Sequence, residues 1–120
     1  YNGSIELYLE PQFFPGVFCD IEGTLIQGSQ VNWGLVKILE NYSSDKPVTL
    51  WTGGDIEKIS KNLAKDRIEF PLVSKNIFRG CEVEIGIDDL KPKEMEEQYG
   101  IRARSWYGVS EDGIQESGAT

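Results

Sequence analysis

The sequence contains no histidine. That absence excludes Ser-His-Asp triads, His-ligated zinc and imidazole acid-base chemistry, so any catalysis has to use carboxylates, Lys, Thr or Cys. Basic residues are also scarce, because 12 Lys and Arg stand against 20 Asp and Glu and give a formal net charge of -8. A sequence-independent grip on a phosphate backbone needs many Lys and Arg, so we expect that nucleic acid is not the partner.

Long apolar runs are missing as well. None approaches the roughly 20 residues that cross a bilayer, and no basic-then-apolar leader opens the sequence, so we expect a soluble, cytoplasmic protein with no membrane partner. Cysteine is limited to Cys19 and Cys81, each beside a strand-like run, and we expect both to be reduced and packed as small apolar groups. The chain begins at Tyr1 rather than Met, and we interpret part of residues 1–4 as a tag remnant.

The 120 residues suit one compact domain and leave no room for a second. Hydrophobic periodicity predicts strands at 5–9, 17–21, 48–51, 70–74, 81–88 and 101–109, and helices at 28–43, 55–68 and 92–99. Residues 11–16 are predicted to form a loop and 110–120 a flexible tail, which leaves a core of about 17–107. This alternation is typical of an α/β fold with a Rossmann-like, open and mainly parallel sheet flanked by helices.

Polar residues follow four of the predicted strands, at the point where each strand ends. They are Asp20 with Glu22, Thr52, Lys75, and Asp88 with Asp89. Because the carboxyl ends of parallel strands meet at one edge of a sheet, we expect these side chains to converge. Clustered acids repel one another unless a cation lies among them, and oxygen ligands in this number suit Mg²⁺. A hydroxyl beside free backbone amides, together with a Lys, suits a phosphoryl group.

The first of these stretches, VFCDIEGTLI at residues 17–26, contains the motif D-x-[DE]-G-T. Followed in order by strands ending in Thr, Lys and Asp-Asp, it resembles the haloacid dehalogenase (HAD-like) superfamily, whose members are mostly Mg²⁺-dependent phosphatases. The resemblance covers roughly residues 17–107. It implies that Asp20 is the nucleophile that forms an aspartyl-phosphate, and that Glu22 is the general acid that then becomes the general base.

The resemblance also implies roles for the later positions. Thr52 would hydrogen-bond a phosphoryl oxygen, and Lys75 would neutralise charge on the phosphoryl group and the nucleophile. The Mg²⁺ site would comprise Asp20, the backbone carbonyl of Glu22, Asp88 and Asp89, the last two directly or through water. Most phosphatases of the family have Asp where this chain has Glu22, although the enolase-phosphatase branch also reads DIEGT.

The family's substrate-choosing cap domains are inserted at two places, and both intervals are short in this sequence. The resemblance therefore implies a capless phosphatase with an open site. Its phosphorylated substrate would be a large molecule, or a small one if a second copy of the chain covers the site in a homo-oligomer. The short interval before the fourth strand of the family pattern predicts a crossover with little helix.

Alternatives stay open at this stage. The fold can also serve a catalytically weak HAD-like domain that binds or regulates, or a receiver domain, although a receiver carries its acidic pair on the first strand. Thr52 can be a plain helix cap, and Asp88 and Asp89 can be a turn signal. Lys91 and Lys93 compete with Lys75 for the role of catalytic lysine.

Overall fold

A six-stranded sheet forms the centre of the structure, a computed structural model that describes residues 12–110 and 113–119, with side chains described as far as 109. Its elements in chain order are β1 (Phe13–Asp20), β2 (Ile26–Gln27), β3 (Gln30–Val31), α1 (Trp33–Tyr42), β4 (Val48–Thr52), α2 (Ile56–Lys65), β5 (Leu72–Ser74), a 3₁₀ turn (Lys75–Phe78), β6 (Glu82–Asp88), α3 (Pro92–Tyr99), β7 (Arg102–Ser110) and β8 (Gly113–Ala119). The sheet order is β5-β4-β1-β6-β7-β8. The first five strands in that order are parallel and β8 is antiparallel, so the prediction of an α/β fold with a mainly parallel sheet is confirmed.

The three helices cover both faces of the sheet. Alternating side chains of β1 enter two separate hydrophobic clusters, with Val17 and Cys19 in one and Phe18 in the other, as expected for a strand buried on both faces. The first cluster takes the apolar sides of α1 and α2, and the second takes Met95 of α3. Trp51 and Trp106 are buried, whereas 57% of Trp33 is exposed.

The helix ends follow the signals in the sequence. Asn32 accepts the Leu35 N–H as the cap of α1, which starts five residues later than the predicted helix. Asp55 caps α2 through the amides of Glu57 and Lys58. Gly100 ends α3 with a φ of 68°, a left-handed conformation that glycine adopts without strain.

The predicted loop at 11–16 is wrong over its last four residues, because β1 begins at Phe13 and runs through Pro15 and Gly16. The strand tolerates Pro15 because the ladder to β6 shifts register between Phe14 and Val17, where a missing N–H removes no ladder hydrogen bond. Gly16 has a φ of 110° and donates its N–H to the Glu84 carboxylate instead.

The predicted flexible tail at 110–120 is wrong at Ser110, the last residue of β7, and over 113–119, and its other residues lie outside the described ones. Residues 113–119 form β8, which pairs with β7 along its length apart from one register shift at Trp106/Tyr107. The short antiparallel hairpin β2–β3 replaces the start of the first predicted helix and was not predicted. The predicted strand at 5–9 and the interpretation of residues 1–4 lie outside the described residues.

The chain returns from β5 to β6 through only seven residues, 75–81, which contain a single 3₁₀ turn. That agrees with the predicted crossover of little helix, and it carries the chain past β4 and β1 to the other side of the sheet. Within 12–110 and 113–119, no helix has the length and hydrophobicity needed to cross a lipid bilayer.

Candidate active site

Four strand ends place polar side chains together at one edge of the sheet. Asp20 ends β1, Thr52 ends β4, Lys75 follows β5 directly, and Asp88 ends β6. Because β5, β4, β1 and β6 are adjacent and parallel, these residues come from neighbouring strands. All four are buried, with relative exposures of 4%, 1%, 4% and 0% in that order. Charged side chains are rarely buried to this extent unless they are paired, so we expect these groups to be bonded to one another.

The Lys75 ammonium joins the two buried aspartates. Its Nζ lies 2.9 Å from Asp20 Oδ1 and 3.0 Å from Asp88 Oδ2. The Ser74 hydroxyl accepts the Asn76 N–H and so fixes the turn that directs Lys75 into the site. The ring of Tyr99 lies 5.0 Å from the ammonium and adds a cation–π contact. Lys75 is therefore held between two carboxylates and one aromatic ring.

The remaining oxygens of the two aspartates are also bonded. Thr24 Oγ1 donates to Asp20 Oδ2 at 3.1 Å. Trp51 Nε1 donates to Asp88 Oδ2 at 3.2 Å, and the Leu90 N–H donates to Asp88 Oδ1 at 3.1 Å. The turn interpretation of Asp88 is thus correct for one oxygen, while the other faces the site. Among the described side chains, every buried nitrogen and oxygen has a hydrogen-bond partner.

A third carboxylate completes an acidic cluster. Asp89 is exposed, and one oxygen from each of Asp20, Asp88 and Asp89 lies within 4.8 Å of the other two. The loop after β1 leaves room for Asp89 through Gly23, which has a φ of 82° and whose missing Cβ would lie 2.6 Å from Asp89 Oδ2. Any other residue at position 23 would be strained and would displace the Asp89 carboxylate.

Glu22 and Thr52 face each other across the opening of the site. Thr52 Oγ1 accepts the Gly54 N–H at 2.9 Å and donates towards Glu22 Oε1 at 3.5 Å. The cap of α2 is Asp55, so the alternative that Thr52 caps this helix is wrong. The Glu22 side chain is exposed and lies outside the acidic cluster, at the rim of the site.

Burial governs the ionisation of the inner acids. Loss of hydration raises the pKa of Asp20 from its ordinary value of 3.8 to about 6, against the opposing charge of Lys75 and with a further contribution from Asp89. Loss of hydration also raises the pKa of Asp88 to about 8, and the charge of Asp20 adds to it. Burial acts to lower the pKa of Lys75, but the charges of Asp88 and Asp20 outweigh it and raise that pKa. One ammonium thus lies among three carboxyl groups, two of them buried.

The raised pKa of Asp20 predicts a stability that depends on pH in the absence of metal. The pKa of Asp20 is near 4 in the unfolded chain and about 6 in the folded protein. The folded protein therefore has the full stability from protonated Asp20 below pH 4, and it loses this stability as the pH rises through 6. In Asp20→Asn, the side-chain oxygen can still accept from Lys75 and its amide can donate to Thr24. We expect this variant to be more stable than the wild type by about 2 kcal/mol at pH 8. At pH 5 we expect this advantage to shrink to about 1 kcal/mol.

Urea unfolding in EDTA at the two pH values measures this difference. A gap that does not change with pH, or a variant less stable than the wild type at pH 8, would contradict the burial of an ionised Asp20.

The polar groups surround an open cleft of about 300 Å³. Its walls include Asp20, Glu22, Thr52, Lys75 and Asp89, which are five of the six residues predicted from the sequence. Asp88 lies beneath them, fully buried. The two rival lysines are elsewhere: Lys91 is exposed at the start of α3, and Lys93 lines a different cavity beside β7.

Comparison with protein-family models, with curated proteins and with solved structures finds no match to this chain. Its function is therefore inferred from the chemistry of the site.

Three residues of the site were not predicted to belong to it. Thr24 lies inside the DIEGT motif, four residues after Asp20, and that spacing on a tight loop was the available signal. Trp51 precedes Thr52 on β4, and the apolar run that predicts this strand does not show that the indole N–H reaches Asp88. Tyr99 is the last residue of α3, and no local pattern connects it with Lys75, because the contact depends on how α3 packs beside the crossover after β5.

Proposed function

We propose that this chain is a Mg²⁺-dependent phosphomonoesterase of the HAD-like type that works through an aspartyl-phosphate. The observation that carries the proposal is the buried Lys75 ammonium between Asp20 and Asp88, with Asp89 beside them. A structural ion pair needs one acid for one base, whereas here Lys75 pairs with two carboxylates, and a third, that of Asp89, lies beside them at an open cleft. Perturbed ionisable groups in a cleft are typical of catalytic sites.

The order of the groups along the chain supports the HAD-like assignment within the α/β class. The nucleophile candidate ends the central strand β1, the hydroxyl ends β4, the lysine follows β5 and the acidic pair ends β6. A receiver domain needs its acidic pair on the first strand, and this chain has it on β6. The short β2–β3 hairpin and the seven-residue crossover leave no space for a cap domain at either insertion point.

The donor set fits Mg²⁺. Asp20, Asp88 and Asp89 offer hard carboxylate oxygens within 4.8 Å of one another, and the excess negative charge favours a divalent cation. Bound there, Mg²⁺ would supply positive charge to the phosphoryl oxygens. The residues would bind it through their carboxylates, and Lys75 would keep Asp20 oriented while it reacts.

The protein's own groups account for both chemical steps. In the first, a carboxylate oxygen of Asp20 attacks phosphorus, the bond from phosphorus to the ester oxygen breaks, and Glu22 gives its proton to the leaving alkoxide. In the second, Glu22 takes a proton from water, the resulting hydroxide attacks phosphorus, and inorganic phosphate leaves Asp20 regenerated. Lys75 and the hydroxyl of Thr52 stabilise the charge that develops on the phosphoryl oxygens.

The direct test is hydrolysis of p-nitrophenyl phosphate. We expect activity with Mg²⁺, none above background with EDTA, and an Asp89→Asn variant that needs roughly 10-fold to 100-fold more Mg²⁺ for half-maximal rate, because it removes one carboxylate of the cluster. Calorimetric titration with Mg²⁺ gives the same comparison without turnover. Glu40→Asn, on the exposed surface of α1, is the control and should leave the Mg²⁺ requirement unchanged.

Full activity in EDTA would contradict the metal-dependent mechanism. Tight Mg²⁺ binding with no hydrolysis of any phosphomonoester would favour the alternative, a catalytically weak HAD-like domain that binds or regulates.

A further inference from the structure

A second cavity adjoins the cleft that holds the proposed phosphoryl group. It has a volume of about 560 Å³ and lies between the β2–β3 hairpin and α2. Glu22 and Gly54 line both cavities, so the two meet at these residues. Its volume is within the range of small-molecule sites in proteins, and no step of the proposed hydrolysis uses it.

The position of Glu22 indicates which part of a substrate would face this second cavity. As the general acid, Glu22 has to reach the ester oxygen that leaves, on the side of phosphorus away from Asp20. Asp20 lines the first cleft and not the second, whereas Glu22 lines both. An ester oxygen bonded to phosphorus in the first cleft and protonated by Glu22 would therefore have its carbon substituent at the entrance of the second.

The lining indicates what kind of substituent fits. Ile26 from the hairpin and Ile59 from α2 provide an apolar surface, and Asn62 and Lys58 provide polar groups at the exposed side of α2. Two acids line this cavity: Asp55 accepts the amides of Glu57 and Lys58, and Glu22 accepts from the Thr52 hydroxyl. Among the described side chains, no carboxylate forms an ion pair with the Lys58 ammonium, so its charge is available to a ligand.

We propose that this second cavity binds the alcohol part of the substrate, and that the substrate is a small phosphomonoester whose alcohol part has an apolar body and an acidic group that pairs with Lys58. The inference rests on the proposed phosphatase function and adds the substrate class to it. The apolar body would lie against Ile26 and Ile59, and the acidic group would reach Lys58 at the exposed end.

Two aryl phosphates that differ by one anion test the proposal: phenyl phosphate and 4-carboxyphenyl phosphate. For the wild type with Mg²⁺, kcat/KM is expected to be higher for the carboxylated ester. In Lys58→Gln the ratio of the two kcat/KM values should fall about fivefold, since a partly exposed charge-assisted contact is lost. The two esters differ in the intrinsic reactivity of their leaving groups. This difference affects the kcat/KM ratio equally in the wild type and in Lys58→Gln, so it cancels when the two ratios are compared. Lys61→Gln, exposed on the same helix, is the matched control and should keep the wild-type ratio.

Binding supplies a measurement that does not depend on turnover. In an Asp20→Asn background with Mg²⁺, calorimetry should show 4-carboxyphenyl phosphate binding more tightly than phenyl phosphate, and Lys58→Gln should remove most of that preference. Hydrolysis of both esters with an unchanged ratio in Lys58→Gln would overturn the substrate class and leave the phosphatase function standing. Failure of the wild type to hydrolyse these two esters while it hydrolyses p-nitrophenyl phosphate would overturn the substrate class alone, and failure with all three would overturn the phosphatase function and the inference with it.

Discussion

Asp20→Asn is expected to lower kcat for p-nitrophenyl phosphate by at least about 1000-fold, because the amide cannot attack phosphorus and the proposed mechanism assigns the neighbouring acids Asp88 and Asp89 to the metal site. Asp20 Oδ1 is held by Lys75 and Oδ2 by Thr24, so the reacting group is fixed in one orientation. The loss should appear in kcat far more than in KM, since the phosphoryl-binding groups of Thr52 and Lys75 remain.

The control for this loss is Asp45→Asn. Asp45 is exposed and lies in the loop between α1 and β4, at the opposite edge of the sheet, so its replacement should leave kcat unchanged. We expect Asp20→Asn to fold, because Asn can form hydrogen bonds with Lys75 and Thr24. Urea unfolding of the variant checks this. A folded Asp20→Asn with wild-type kcat would contradict the assignment of Asp20 as nucleophile.

Lys75→Met is expected to give the largest loss of stability in the chain, about 3 to 5 kcal/mol at pH 8 in EDTA. Removing the ammonium leaves Asp20 and Asp88 buried with no cation between them, and breaking a buried ion pair from one side has a cost of this size. Lowering the pH should reduce the loss, because both carboxyls can then be protonated. Added Mg²⁺ should reduce it as well, since the ion would restore positive charge.

Lys93→Met provides the comparison, because Lys93 is an exposed residue of α3 and such substitutions change stability little. Equilibrium urea unfolding of both variants, at pH 5 and pH 8 and with EDTA or Mg²⁺, measures all of these effects. If Lys75→Met costs no more than Lys93→Met at pH 8, Lys75 does not hold the two aspartates together.

Most residues of the site could be predicted from the sequence because they lie where predicted strands end. Apolar runs predicted β1, β4, β5 and β6, and in parallel strands the residue that follows each run is carried to the same edge of the sheet. Asp20, Thr52, Lys75 and Asp88 could therefore be placed together from strand order alone. The register and the distances between them come from pairing across the sheet, which periodicity does not contain.

Elements that depend on long-range pairing were the ones missed. The β8 sequence GIQESGA is polar and rich in glycine, so nothing local predicts a strand, and its pairing with β7 supplies the missing stability. Pro15 and Gly16 are strong loop signals, yet the register shift against β6 accommodates them inside β1. The Tyr99 contact with Lys75 likewise depends on tertiary packing.

The proposed mechanism depends on the formation of an acyl phosphate on Asp20, and trapping that acyl phosphate is the sharpest test of it. In Glu22→Gln the first step should survive with p-nitrophenyl phosphate, whose leaving group needs little help from an acid, while activation of water is slowed, so the phosphorylated enzyme should accumulate. Rapid quenching, reduction of the acyl phosphate with borohydride and peptide mass spectrometry then locate the modified residue. We predict that Asp20 alone is modified, with up to one equivalent of phosphate per chain. Modification of a different residue, or no modification during turnover, would rule out Asp20 as the nucleophile.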